Sequence, residues 1–167
     1  MSIRIVGFCA AALVAVGLAG CTTQSTMDPL VAHPTASAYG IVTVRSAYPF
    51  TETITRLKQD VAVKGLMFFQ EVDQAKLAAD AGITTQPSTL LVFGNPALGT
   101  QFITSNPQAG IDWPVRLLVF QDREGRVWAE YTDFAYIAER YAITDRNPQF
   151  KKASEVIASI TSSVAAK

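Results

Sequence analysis

From residue 39 onwards, hydrophobic and polar positions recur with the spacings of both helices and strands. Two stripes with three- and four-residue spacing predict amphipathic helices, one early in this region and one at its end. Their members are Phe50, Ile54, Leu57 and Val61, and Phe150, Ala153, Ile157, Ile160 and Val164. Between the two stripes, the continuous apolar run from Thr89 to Phe93 predicts a strand in the centre of a sheet.

The rest of this region is divided into further elements by turn residues and by three predicted helix caps, Asp73, Asn95 and Asp133. β-branched residues from Ile41 to Val44 and an apolar segment from Leu66 to Val72 predict two more strands. The clearest hairpin joins 115–121 to 126–131 through residues 122–125. The resulting order, β-α-β-α-β-α-β-β-α-α, predicts an α+β fold in which a mixed sheet of about five strands is packed with helices.

The hairpin carries apolar residues on both faces. A four-residue turn pairs Gln121 with Arg126 and places Arg116 across from Tyr131. On that register Arg116 shares a face with Leu118 and Phe120, whereas the opposite face carries Val115, Leu117, Val119 and Trp128. Either helices cover both faces or a partner buries one of them, which is the reason to expect a homodimer.

The N-terminal segment has the pattern of an export signal. Arg4 precedes an apolar run from Ile5 to Leu18, which is shorter than the 20 or so residues of a spanning helix. The ending Leu18-Ala19-Gly20-Cys21 resembles the bacterial lipobox, which implies that Cys21 carries acyl chains such as palmitate. The alternative is a plain signal peptide that is cleaved elsewhere.

This reading divides the chain into three parts. Residues 1–20 are the predicted lipoprotein signal peptide, 21–38 a flexible linker after lipidated Cys21, and 39–167 a single α+β domain. The predicted location is the cell envelope, with the membrane as a partner through the lipid anchor. By the same resemblance Thr22, in place of an aspartate, favours the outer membrane facing the periplasm.

Composition limits the chemistry that the predicted domain can perform. The two cysteines are Cys9 and Cys21, and the one histidine is His33 in the linker. The domain therefore lacks the parts of a disulfide, a cysteine-ligated metal site or a Ser-His-Asp triad, and we expect no metal and no cofactor. Lys and Arg together number 14, as do Asp and Glu, so no excess of positive charge suggests nucleic acid.

Two turns carry candidate ligand-binding residues. Gly94, Asn95 and Pro96 join the central strand to a helix, whose first N–H groups favour an anion or carbonyl group, although the absence of a lysine or a second glycine cluster favours a turn built for geometry alone. Gly99 lies inside that helix, which suggests that a ligand or another element approaches closely there. Asp112 and Trp113 either line a pocket mouth or form a hydrogen-bonded turn.

Arg116 is a charged residue on an apolar strand face, so it requires a partner or contact with solvent. Asp112 or Asp73 could pair with it in a structural salt bridge. A ligand carboxylate could take their place. With Tyr131, these residues complete the candidate ligand-binding set, and no catalytic residue is assigned.

An ordered set of motifs resembles domain-of-unknown-function family 302. It comprises residues 71–75, 90–96, Gly99-Thr100 and 111–116, together with the hairpin residues Gly125, Val127 and Tyr131. The resemblance implies an α+β domain and no established activity. The family often has a histidine after the aspartate that matches Asp73, where this chain has Gln74, so metal or haem binding through that histidine is in doubt here.

The predicted function is a non-catalytic envelope module that binds an unknown small molecule or protein. The alternative is a periplasmic hydrolase-like enzyme that uses carboxylates such as Glu71, Asp73, Asp112 and Glu130. Two carboxylates within about 10 Å of each other in one pocket would favour the enzyme, whereas an apolar groove would favour binding.

Overall fold

The computed structural model describes residues 36, 37 and 39–167. The predicted signal peptide, the predicted lipidation of Cys21 and most of the predicted linker lie outside the described residues. None of the helices in 39–167 combines the length and hydrophobicity needed to cross a membrane. The hydrophobic core extends from Val42 to Val164, so residues 36–167 contain the core of a folding unit.

The described residues form a five-stranded sheet in the order β1-β5-β4-β3-β2. Its strands are β1 (Ile41–Arg45), β2 (Met67–Asp73), β3 (Ser88–Gly94), β4 (Val115–Gln121) and β5 (Val127–Thr132). This confirms the α+β class, the element order and the interior position of β3. Every neighbouring pair is antiparallel, however, whereas the sequence predicted a mixed sheet.

Five α-helices and one short 3-10 helix connect or follow these strands. They are α1 (Phe50–Val63), α2 (Gln74–Asp80), α3 (Pro96–Ser105), the 3-10 helix Pro107–Ile111, α4 (Phe134–Arg140) and α5 (Asn147–Ser162). Side chains of Asp73, Asn95 and Asp133 accept hydrogen bonds from the first turns of α2, α3 and α4. The predicted caps therefore define these three helix starts.

One face of the sheet forms the core with four of the helices. Alternate residues of β3, β4 and β5 are buried, among them Leu91, Leu117 and Ala129. Helices α1, α3, α4 and α5 contribute buried residues to the same cluster, whereas α2 contributes none. The stripe of α5 predicted from the sequence is buried in full, and α5 packs against α1, α3 and α4.

The hairpin register differs by one residue from the predicted one. Gln121 pairs with Val127, and the backbone N–H of Asp122 donates to the carbonyl of Arg126 at 2.9 Å. Residues 122–126 therefore connect the two strands, one residue more than the expected 122–125, and Gly125 within this turn adopts φ 79°. Because side chains alternate along a strand, this shift moves Trp128 and Tyr131 to the faces opposite those predicted.

Hydrogen bonds to the Asp122 carboxylate stabilise the turn in this register. Its oxygens accept from the backbone N–H of Arg126 at 2.8 Å and from the indole N–H of Trp128 at 2.8 Å. Burial favours the neutral acid, but the hydrogen bonds from Trp128 and Arg126 outweigh it and lower the pKa of Asp122 to about 2. The ionised carboxylate is therefore the form that the native turn favours.

The second face of the sheet remains partly exposed. It carries the side chains of Leu90, Val92, Leu118, Phe120 and Trp128, each of which is half-buried. Both faces of the hairpin are thus apolar, as the sequence indicated, but Trp128 now belongs to this face. The homodimer stays a prediction.

Candidate functional site

A cavity of about 530 Å³ lies beside the end of β3, where this strand leads into α3. Apolar and aromatic side chains form most of its wall. They are contributed by the connection from α1 to β2, by β3, α3, α4 and α5, and by the segment around the start of β4, and comprise Leu66, Phe93, Leu98, Phe102, Trp113, Val115, Phe134, Ala153, Val156 and Ile157. Its volume falls within the range of about 300–1,000 Å³ that is typical of small-molecule sites.

The indole of Trp113 forms one wall of this cavity by packing on two glycines. A Cβ atom on Gly99 would lie only 1.6 Å from Nε1 of Trp113. A Cβ atom on Gly94 would lie 3.3 Å from the same indole nitrogen. The close approach expected at Gly99 is thus made by another part of the same chain, and this contact explains a glycine inside α3.

The turn from β3 to α3 brings two of the predicted residues to the cavity. Gly94 and Asn95 line it, and Pro96 is the first residue of α3. The Asn95 side-chain oxygen accepts from the backbone N–H of Leu98 at 3.2 Å. Asn95 therefore caps the helix, which is the structural role predicted for it, while its position also places it at the cavity.

Charged side chains at the cavity come from α5 and from the end of α1. Lys64 directly follows α1, and Lys152 and Glu155 belong to α5. Neither lysine forms an ion pair with a carboxylate among the residues that the structure describes. The site thus combines a mostly apolar wall with two cationic groups and one anionic group.

Asp112 precedes Trp113 but its carboxylate is fully engaged elsewhere. It accepts from Arg116 at 2.9 Å, from Arg140 at 3.2 Å and from the Tyr141 hydroxyl at 2.6 Å. The Asp112 side chain is only 5% exposed. Of the two partners considered for Arg116, Asp112 is the one observed, and the cluster ties the start of β4 to α4.

The hydroxyl of Tyr141 is the neutral donor in this cluster. Its hydrogen bond to Asp112, together with burial and the nearby negative charge, raises the pKa of Tyr141 above its ordinary value of 10.0. The proton therefore stays on the tyrosine oxygen at neutral pH. This arrangement suits a structural contact between β4 and α4 rather than proton transfer.

Asp73 and Tyr131 do not join the cavity. Asp73 is exposed at the start of α2, where its carboxylate accepts from the backbone N–H of Lys76 at 2.8 Å. Tyr131 pairs with Leu117 on the helix-covered face, so the prediction that it lies opposite Arg116 is wrong. Burial raises the pKa of Tyr131 and keeps it protonated.

Gln74, which stands where the family often has histidine, also has a structural contact. Its side-chain oxygen accepts from the hydroxyl of Ser88 on β3 at 2.7 Å. In the described part of the chain, no group of three or more His, Cys, Asp or Glu residues is arranged to hold a metal ion. The hydrogen bond between Gln74 and Ser88 ties α2 to β3.

Several residues of the cavity were not singled out from the sequence. Leu98 and Phe102 lie one turn apart in α3, and Val156 lies next to the predicted stripe of α5. Because α3 and α5 are distant in the sequence, the spacing of these residues does not indicate that the two helices meet at one cavity. The glycine inside α3 was the one local indication of a close approach at this point.

Comparison with known proteins agrees with the fold and the motifs. The model of the family described as "Domain of unknown function DUF302" matches residues 42–166. The chain belongs to the DUF302 family. A crystal structure of an uncharacterized conserved DUF302 protein from Bacillus stearothermophilus superposes with a TM-score of 0.68 at 17% identity, over 75% of this chain and 98% of that one. At this identity the likeness shows a shared fold.

Curated relatives of this DUF302 protein are larger. Fluoride-specific ion channel FluC 1 of Brucella suis is 36% identical over 104 residues, which are 62% of this chain and 41% of the relative. Fluoride-specific ion channel FluC 2 of Brucella melitensis is also 36% identical, over 62% of this chain and 38% of the relative. The chain thus spans about two fifths of the length of these relatives.

Replacement of Asp112 tests whether its cluster stabilises the fold. We expect Asp112→Ala to lower the free energy of unfolding by about 2–3 kcal/mol, because the Tyr141 hydroxyl loses its buried acceptor. Urea unfolding followed by circular dichroism measures the change. The matched control is Asp80→Ala, which removes an exposed pair with Lys76 and should cost less than about 1 kcal/mol. Equal losses in the two variants would contradict the assignment.

Replacement of Gly99 tests the contact with Trp113. A glycine inside a helix normally costs about 1 kcal/mol relative to alanine, so Gly99→Ala would stabilise an unobstructed helix. Here we expect a loss of about 1–3 kcal/mol, because the added methyl group meets the indole. Gly110→Ala is the control, since its Cβ would make an ordinary contact of 3.7 Å with Ile103. The same unfolding assay applies, and a gain at Gly99 would show that the indole moves freely.

Proposed function

We propose that this DUF302 protein is a non-catalytic binding module that holds a small, predominantly apolar molecule in the cavity beside α3. The observation that carries the proposal is the cavity itself, about 530 Å³ in volume and lined mostly by aliphatic and aromatic side chains. Burial of apolar ligand surface against such a wall supplies binding energy of about 25 cal/mol per Å². The polar groups at the cavity then orient the molecule.

Contacts within the chain hold the aromatic side chains of the wall in place. Trp113 is held against Gly94 and Gly99 and contacts Phe69 edge-to-face, with 6.1 Å between the ring centroids. Phe102 stacks on Phe150 of α5 with 4.0 Å between centroids. These contacts give the cavity a defined shape before a ligand arrives, which lowers the entropic cost of binding.

The distribution of carboxylates favours binding over hydrolysis. Acid–base hydrolysis by carboxylates requires two such groups near the same substrate. Of the described carboxylates, Glu155 alone lines the cavity. Asp112 is held by three donors outside it, and Asp73 caps α2. The enzyme alternative therefore lacks a pair of carboxylates at this site within residues 39–167.

We further propose that the module acts at the cell envelope on a lipid anchor at Cys21. The lipobox-like ending Leu18-Ala19-Gly20-Cys21 supports this location, and so does Thr22 for the outer membrane facing the periplasm. Similar sequence also occurs within proteins named fluoride-specific ion channels. A domain of this type beside a membrane would meet the apolar molecules that its cavity can hold.

Ligand binding is testable with uncharged alkyl compounds. We expect residues 36–167 to bind straight-chain alcohols, with affinity rising up to about fourfold per added methylene group until the chain outgrows the cavity. Titration calorimetry with hexanol, octanol and decanol measures this series. Absence of binding by all three would contradict the proposal.

A cavity-filling variant links that binding to the proposed site. We expect Val156→Phe to weaken decanol binding at least about tenfold, because the ring would occupy part of the volume. Ser162→Phe adds the same ring at an exposed position of α5 away from the cavity and should bind like the wild type. Equal binding by both variants would place the alcohol elsewhere.

The anchor is testable in cells. We expect the full chain to be recovered with the membrane fraction and labelled by a fatty-acid precursor, and Cys21→Ser to lose both the label and the membrane association. Fractionation and metabolic labelling measure the two properties separately. Membrane association that persists in Cys21→Ser, with no label on the wild type, would overturn the lipid anchor.

A further inference from the structure

The cavity has a chemical feature beyond its apolar wall, namely cationic and hydrogen-bonding groups that have no partner among the described residues. We propose that its ligand is an amphiphile with an apolar chain and an anionic head group, bound with the head near Lys64 and Lys152. This inference rests on the proposed binding function. It adds the charge of the ligand, which an apolar wall alone does not determine.

The two lysines reach the cavity from different elements. Lys64 follows the last residue of α1, and Lys152 lies on α5, two turns before Ser159, which also lines the cavity. Lys58 on α1 pairs with Glu71 and Lys76 on α2 pairs with Asp80, whereas Lys151 on α5, which does not line the cavity, has no ion pair in the described residues. Lys64 and Lys152 have no such pair in the described residues, so their charges are available to an anion.

Trp113 supplies a neutral donor at the same cavity. The indole N–H of Trp128 donates to Asp122, whereas no hydrogen-bond acceptor is found for Trp113 within residues 39–167. Its Nε1 lies close to Gly94 and Gly99, at the turn where β3 enters α3. An N–H group on an apolar wall gains most from a ligand that brings its own acceptor.

The negative charge of Glu155 repels an anionic head group. A variant that removes this charge should therefore change anion affinity in the direction opposite to the lysine variants. Glu155 lies three residues after Lys152 on α5, a spacing at which the two side chains are neighbours. With Lys64 and Lys152 the lining carries a net charge of one positive unit, two cations less one anion. Removal of the Glu155 charge should therefore strengthen binding of an anion.

The experiment compares decanoate with decanol on residues 36–167. The Trp128→Phe background leaves Trp113 as the single tryptophan of the chain, so its fluorescence reports events at the cavity. We expect decanoate to bind more tightly than decanol and to weaken as salt is raised, with decanol unaffected by salt. The double variant Lys64→Gln, Lys152→Gln should lose about fivefold or more in decanoate affinity and keep its decanol affinity.

Two further variants complete the test. Glu155→Gln should bind decanoate more tightly, and Lys151→Gln, which changes the exposed neighbour of Lys152 outside the cavity, should bind it like the wild type. Equal affinity for decanoate and decanol, unchanged by the lysine variants, would overturn the anionic head group while leaving the binding function intact. Failure of both compounds to bind would instead overturn the proposed function itself.

Discussion

The contact between the Trp113 indole and the two glycines, Gly94 and Gly99, is the interaction on which the cavity depends. It requires a strand and a helix that both lack a side chain at the same point, because any Cβ atom on Gly99 would overlap the ring. With the ring in place, the space between α3 and α5 has a flat aromatic wall.

Asp112, the preceding residue, holds this segment from the other side. Its carboxylate connects β4, through Arg116, with α4, through Arg140 and Tyr141. Both arginines remain nearly half exposed, so the buried partner of the cluster is the aspartate. The segment Asp112-Trp113-Pro114 thus has two roles, because the aspartate anchors the backbone while the tryptophan shapes the cavity.

The distribution of polar groups is the reason for proposing binding rather than catalysis. Three of the described carboxylates serve as a helix cap, a turn acceptor and an ion-pair partner, namely Asp73, Asp122 and Asp112. At the cavity, the polar groups are mainly donors set in an apolar wall. On the proposed function, such a wall would stabilise a bound acceptor by desolvation and hydrogen bonding, and Glu155 is the one carboxylate that the described residues place there.

Local signals in the sequence determined most of the elements. The stripe of α5, the capping residues Asn95 and Asp133 and the apolar run of β3 each act within a few residues, so the chain alone predicts them. The hairpin turn at Gly125 is also a local feature, but it contains one residue more than predicted. Because side chains alternate between the two faces of a strand, Trp128 and Tyr131 lie on the faces opposite those predicted. Tertiary structure alone decided that all strand pairs are antiparallel and that Arg116 pairs with Asp112 rather than with Asp73. It also brought Lys64, Trp113 and Lys152 together at one cavity. The strand pairing and the cavity depend on contacts between residues far apart in the chain, which no local spacing encodes. Asp112 and Arg116 are only four residues apart, but Arg140 and Tyr141, far along the chain, hold the same carboxylate.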